Sequence, residues 1–161
     1  RFLKCAAELK LTHFVTMQNF YNLVYREEER EMIPLCRAEG IGVIPWSPLA
    51  RGFLGRKSAD ALAKETTRAK SDNVLDMQFG DTDLEILRRV EAVAKKHGVS
   101  NAQVALAWVM QRPGVAAPIV GASKPGHLED AVAASKLVLT AEDCLSLEEP
   151  YRPRAIAGML R

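Results

Sequence analysis

The 161-residue chain is short of residues that staple, chelate or stack: it has three cysteines, three histidines and 6% aromatics. Cys5, Cys36 and Cys144 are odd in number, far apart and set among apolar helix-forming residues. That excludes a disulfide framework and predicts reduced, mostly buried thiols. His13, His97 and His127 fall in neither H-x-x-x-H nor Cys/His ligand spacing, so no zinc site is expected. No apolar window reaches the length of about 18 residues that a spanning helix needs, and no charged-then-apolar leader is visible; a cytoplasmic setting is the expectation. Lysine and arginine (22) nearly balance aspartate and glutamate (20), and no basic tract interleaves with aromatics, so binding to nucleic acid has no support. Internal repeats are also absent.

What the chain does have is 48% hydrophobic and 26% charged residues, the balance of one soluble domain able to bury a core, spanning 1–161. Phe2, Ala6 and Leu9 repeat at helical spacing from the first residues, so the chain opens inside a helix and a preceding segment is expected. HFVTM (13–17) reads as a strand. Glu27 to Glu39 reads as a helix stopped by Gly40, with Pro34 either kinking it or marking a late start. Ile41 to Pro45 is a second strand. Residues 50–80 show no sustained period and read as a long lid or binding loop. Thr82 and Glu85 form a capping box for a helix carrying Leu84, Leu87, Val90 and Val93 and ending at Gly98. Ser100 with Gln103 caps a helix through Trp108 that Pro113 and Gly114 break. Val115 to Val120 is a third strand. Pro125 starts a helix to about Ala134, and Thr140 with Asp143 opens a last helix before the tail containing Pro150 and Pro153.

Strands alternating with helices define an α/β class with parallel strands and right-handed crossovers. Three apolar parallel strands leave two unpaired edges, so more sheet, or self-association through the edges, is expected to cover them. Two runs pass from apolar to polar: IGVIPWSPLARGFLGRK, Ile41 to Lys57, and VAAPIVGASKPGHLED. A run without polar alternation fits a strand covered on both faces, and residues past its carboxyl end are where α/β sheets bind ligands.

Four stretches, TMQNFYNL, REEEREMIPLCRAEGIGVIPWSPLARG, IVGASKPGHLEDAV and EEPYRPRAIAGM, together resemble the carboxyl-terminal half of the aldo-keto reductases. The branch is the one with bacterial and fungal reductases and potassium-channel β subunits. The resemblance implies a partial (β/α)₈ TIM barrel carrying strands six to eight with their helices, the helix after Gly80 being one inserted before the seventh barrel helix. It implies NADPH as cofactor. Trp46 would stack on the nicotinamide ring, a matter of orientation; many relatives carry Tyr there. Gln18 would pair with the nicotinamide carboxamide. Ser47, Pro48, Leu49, Ala50 and Arg51 would wrap the pyrophosphate, joined by Lys57 and Arg68 from the long loop. Gly121, Ser123 and Lys124 precede a helix amino terminus, where Lys124 would meet the adenosine 2′-phosphate. His127 stands where many members carry Gln, and Ala131 where some carry Asn; Asp130 would keep the partner of the adenine exocyclic amine.

No position matches the family's catalytic Asp, Tyr, Lys and His, so no catalytic residue is assigned, and Tyr21 and Tyr25 read as structural. The resemblance implies a parent enzyme that reduces aldehydes or ketones to alcohols, a small carbonyl compound as its substrate, and an isolated segment that is inactive. Two other readings stay open: a non-enzymatic cofactor-binding or interaction module, and a truncated fragment. The tail from Tyr151 to Arg161 either closes over the substrate pocket or is a disordered terminus.

Overall fold

The computed structural model describes residues 1–56, 58–59 and 79–156. Two short parallel strands, β1 (Thr16–Met17) and β2 (Gly42–Val43), pair in register Thr16 to Gly42 and Met17 to Val43. A third segment, 115–119, joins β2 through parallel bridges at Val43–Val115 and Trp46–Ile119, and Phe20 bridges Trp46 on the other side. The three predicted strands therefore lie side by side in chain order, shorter than expected. Proline interrupts the pairing on one side. Toward β1 the donors run unbroken, Gly42 N to Val15 O, Ile44 N to Met17 O and Trp46 N to Asn19 O, but toward the third segment Pro45 and Pro118 have no N–H, so after Val43 N to Gly114 O and Ala116 N to Val43 O the next bond is Ile119 N to Pro45 O. Gly42 has a packing reason, since a Cβ there would sit 3.2 Å from that of Ala116 in the neighbouring strand.

Helix α1 (Phe2–Glu8) precedes β1. Of its expected inward face only Ala6 is buried; Phe2 and Leu9 are exposed, and Leu3 makes the contact with the core. The helix expected over Glu27 to Glu39 is instead a 3-10 turn, Glu27–Glu29, followed by α2 (Met32–Ala38). Pro34 lies in the first turn of α2, where its missing N–H costs nothing, so the late start is the alternative realised. The acids ahead of it are taken by side-chain partners, local for Glu29 and long-range for Glu27. Glu29 accepts two hydrogen bonds from the Arg26 guanidinium and one from the Tyr21 hydroxyl. Glu27 accepts from the Tyr151 hydroxyl, at 2.6 Å, and from Arg154 N, at 2.8 Å.

Helix α3 (Asp81–His97) begins two residues earlier than Thr82 and Glu85 predict, with Gly80 as its N-cap. Asp83 does the capping, accepting from Gly80 N at 2.9 Å, while Glu85 pairs outward with Arg88 and Arg89. Ile86, Leu87, Val90, Val93 and Ala94 are buried, and Gly98 ends the helix in the left-handed region at φ +65°. Helix α4 (Asn101–Met110) has a continuous buried run from Val104 to Val109, including a fully enclosed Trp108. Gly114, at φ +94° and with Arg37 Cγ 2.8 Å from any added Cβ, is the turn into the third strand segment. Helices α5 (Pro125–Ala134) and α6 (Ala141–Glu148) have the predicted starts, and the Thr140–Asp143 capping box closes in both directions.

The cysteines split: Cys36 is buried, Cys144 half-buried, and Cys5 exposed, contrary to a mostly buried set. Burial raises the thiol pKa of Cys36 and Cys144, which keeps them protonated and unreactive. Tail residues 151–154 are held in place, with Tyr151 on Glu27 and the Arg154 guanidinium on Asp83 of α3. The disordered-terminus alternative therefore fails for that part, and 157–161 lie outside the described residues. Among the described residues no helix is long and apolar enough to cross a membrane.

Candidate cofactor site

The bridges Phe20–Trp46 and Trp46–Ile119 put the carboxyl ends of three neighbouring strands at one level, so the segments that follow them leave the sheet together. Gln18, the residue after β1, is exposed there. Trp46 is half-buried, its ring 4.7 Å from that of Phe20, which itself lies 4.7 Å from the Tyr25 ring. One aromatic partner at a tilt fixes the indole plane and leaves part of it for a planar ligand.

Past Trp46 the backbone is bent hard. Ser47 (φ +53°), Ala50 (+48°) and Arg51 (+58°) all sit in the left-handed region, followed by Gly52 at +91°. For non-glycine residues each such conformation costs on the order of 1 kcal/mol or more and persists only where surroundings over-determine it; such strain clusters at ligand sites. The restraint is visible. Ser47 O accepts from Ala50 N at 2.9 Å and from Asn22 Nδ2 at 3.0 Å, while Asn22 Oδ1 takes Val24 N. Asn22 is fully buried and ties the segment after β1 to the segment after β2. Pro48 and Ala50 are buried, Leu49 half-buried, and Arg51 reaches the surface. A 3-10 turn, Phe53–Gly55, completes the loop, and Asn101 Nδ2 of α4 donates to Arg56 O at 2.6 Å. Lys57 and Arg68 fall outside the described residues.

The third exit runs through Gly121, Ser123 and Lys124 into α5, all three exposed. Lys124 is the N-cap residue, and among the described residues no side chain caps this helix. Pro125 at the first position brings no N–H of its own and His127 N donates to Lys124 O at 3.0 Å, which leaves Gly126 N facing outward from the helix start. His127 returns toward the loop: its Nδ1 lies 3.5 Å from Ser123 Oγ, at the limit of a hydrogen bond. A lysine beside an uncapped helix start of ten residues is a suitable seat for a phosphate dianion. Asp130, a turn further into α5, has Oδ1 held at 2.6 Å by Gln103 Nε2 of α4.

Gln18, Trp46 to Arg51 and Gly121 to Lys124 are thus assembled at one end of one sheet, and Asp130 and His127 stand on the helix leaving it. Sequence reasoning missed the residues that hold them, Asn22, Phe20, Asn101 and Gln103. Asn22 and Phe20 lie inside the TMQNFYNL stretch, and an asparagine there, unneeded for a strand, was a visible signal. Gln103 was visible only as a capping partner. Ser100 Oγ does accept from Gln103 N, at 3.2 Å, but the Gln103 side chain goes to Asp130 and does not close the box. No group of three or more His, Cys, Asp or Glu side chains is placed to hold a metal among the described residues.

Parallel α/β sheet segments with an aromatic, a strained loop and a helix start at their carboxyl ends define an α/β protein with the layout in which such sheets bind ligands. The particular family follows from comparison with known proteins. Residues 3–152 match the Aldo/keto reductase family, and the chain belongs to it. A Schizosaccharomyces pombe protein provisionally named an aryl-alcohol dehydrogenase is 53% identical over 146 residues, 90% of this chain and 40% of that protein. Versiconal hemiacetal acetate reductase of Aspergillus parasiticus is 45% identical, over 89% of this chain and 42% of its own. Among solved structures, a thermostable aldo-keto reductase in complex with the inhibitor epalrestat superposes with a TM-score of 0.64 at 25% identity, covering 93% of this chain and 45% of that one. The chain spans about two fifths of the length of the curated relatives it matches. The fold is accordingly α/β and a partial barrel.

Proposed function

We propose that this chain supplies the cofactor-holding part, strands six to eight, of an oxidoreductase that uses NADPH to reduce an aldehyde or ketone to an alcohol. The observation that carries the reading is the convergence of Trp46, the left-handed loop Ser47 to Gly52 and the uncapped start of α5 beside Lys124 at one sheet end. The donor set fits the group: a flat aromatic for a nicotinamide ring, peptide N–H groups and Arg51 for a pyrophosphate, and a cation at a helix start for a 2′-phosphate. Bound NADPH would supply the hydride. The chain's own residues bind and orient: Gln18 offers an amide donor and acceptor to the carboxamide, Trp46 sets which ring face is presented, and Lys124 selects the phosphorylated ribose. Lys57 and Arg68 belong to the same proposed pyrophosphate set.

The proton donor lies outside this chain. Tyr21 is buried with its hydroxyl on Glu29, its pKa pushed up by burial first and by the Glu29 charge second; Tyr25 is buried, and Tyr151 donates to Glu27. The chain alone is therefore expected to bind cofactor without turnover, the missing acid being worth about 10² to 10⁴ in rate. The names of its relatives, aryl-alcohol dehydrogenase and versiconal hemiacetal acetate reductase, support a carbonyl–alcohol pair as substrate and product. Exposed Phe14 and Val15 beside β1 at one sheet edge, Ile119 in the segment at the other, and Leu128 and Val132 on α5 are the apolar surface that further barrel strands and helices would cover.

The test is cofactor fluorescence titration of the full chain with NADPH and NADH, beside Lys124→Ala. Saturable binding that favours NADPH is expected, with the variant losing about 10-fold or more for NADPH and little for NADH, since a charge-assisted contact to phosphate is absent from NADH. Equal affinity for the two dinucleotides, unmoved by the variant, overturns the 2′-phosphate assignment.

A further inference from the structure

Helix α4 contributes one side chain to the α5 face that no motif assigned. Gln103 occupies the third position of α4, where a glutamine after an N-cap serine ordinarily folds back on the serine N–H. Here the backbone half of that box forms, but the side-chain amide is turned to the neighbouring helix and donates to Asp130 Oδ1 at 2.6 Å. Both residues are half-buried.

We propose that Gln103 is a positioning residue for base recognition: it fixes the Asp130 carboxylate so that its second oxygen accepts from the exocyclic amine of the cofactor's adenine. This rests on the cofactor reading above and on the family resemblance, which makes Asp130 the partner of the adenine amine. The chemistry favours this donor over any other. A cation in its place would neutralise the carboxylate; a neutral amide orients one oxygen and leaves the full charge for an N–H donor. A carboxylate left free to rotate would lose that direction. The same arrangement discriminates. A purine with an oxo group at the amine position presents an acceptor to an acceptor and is rejected, because a site built to take a donor is left with an unpaired charge.

The probes are NADPH and its hypoxanthine analogue, reduced nicotinamide hypoxanthine dinucleotide phosphate, in which the amine is replaced by oxygen. The readout is the ratio of their dissociation constants for one sample of the full chain, a ratio that does not change with the fraction of the sample folded. The native chain is expected to prefer the adenine form by about tenfold or more. Gln103→Met, which keeps length and helix propensity and removes the donor, should bring the ratio close to one. Asp130→Ala should do the same, and the double variant should go no further. A Gln103→Met chain that keeps the native ratio overturns the positioning role while leaving the cofactor reading intact. A native chain that binds neither dinucleotide overturns both. A merely structural glutamine would weaken the two dinucleotides alike and leave the ratio unchanged, which also refutes the proposal.

Discussion

Replacing Glu148 by alanine is expected to destabilise the fold by about 3 kcal/mol, near the lower end for breaking an ion pair that is mostly but not wholly removed from water. Glu148, the last residue of α6, accepts from Trp108 Nε1 at 2.9 Å, Arg112 at 2.6 Å and Arg26 at 3.1 Å. Its side chain is 22% exposed, and those of Arg26 and Arg112 are 14% and 20% exposed. Both guanidiniums also lie against the Trp108 ring, 5.4 Å and 4.9 Å from its centroid. Removing the carboxylate thus leaves two cations beside one indole and strands the indole N–H. Arg26 retains Glu29, whereas Arg112 already has a buried Nε with no partner among the described residues, so the loss falls mainly on Arg112 and Trp108. For a chain of this size the effect corresponds to a fall in Tm of about 6–12 °C. Glu148→Gln keeps an acceptor for the indole and removes the charge, so its Tm should lie between the two. A thermal melt of the three proteins checks this; an alanine variant within a degree or two of the parent would show that the network is incidental to stability.

The same network shows why some of the fold was legible in the sequence and some was not. Helices α5 and α6 begin where Pro125 and the Thr140–Asp143 box put them, because a proline at the first position and a serine or threonine cap act within four residues. The three parallel strands and their order follow from apolar runs separated by helices, again mostly local information. The segment 26–31 failed for the opposite reason. Its acids look like the first turn of a helix, but Glu27 is claimed by Tyr151 and Arg154, over 120 positions away, which no local pattern displays, while Glu29 takes the nearer Tyr21 and Arg26. The same holds at Thr82, where Asp83 caps the helix by reaching Gly80 N and receives Arg154 from the tail. In the candidate site the residues aimed at ligand were legible through the family resemblance, while those that brace them were not. Asn22 and Gln103 act through a single long-range hydrogen bond each, and a polar side chain in one chain position carries no mark of which distant carbonyl or carboxylate it will meet.

Acid is expected to weaken the chain through Asp143, and Asp143→Asn should remove that part of the pH dependence. The carboxylate is 2% exposed, so burial alone would raise its pKa; hydrogen bonds from Lys96 and His97, each at 2.8 Å, and from the Thr140 backbone and hydroxyl region outweigh this and hold it well below the usual carboxylate range. A carboxyl group whose pKa is lower folded than unfolded binds more protons in the unfolded state. Its stabilisation is therefore complete above the unfolded value of about 4 and drains away as pH falls below it toward the folded value. The structural consequence is specific: Asp143 joins the end of α3, at Lys96 and His97, to the start of α6, whose capping box it closes through Thr140 N at 3.0 Å. The asparagine keeps one oxygen for the cap but turns an amide N–H₂ toward Lys96 or His97, donor against donor. At neutral pH the variant should be less stable by about 2 kcal/mol, the cost of losing charge-assisted hydrogen bonds in a buried site. Urea midpoints from about pH 6 down to about pH 2 would show the parent curve falling toward that of the variant, because protonated aspartic acid no longer offers the charge that the asparagine lacks. Other lowered carboxylates, Glu27 and Glu85, act on both proteins alike, so the difference between the curves isolates Asp143. If the two curves stay parallel across that range, the link between α3 and α6 is carried by packing, with the ion pairs contributing nothing measurable.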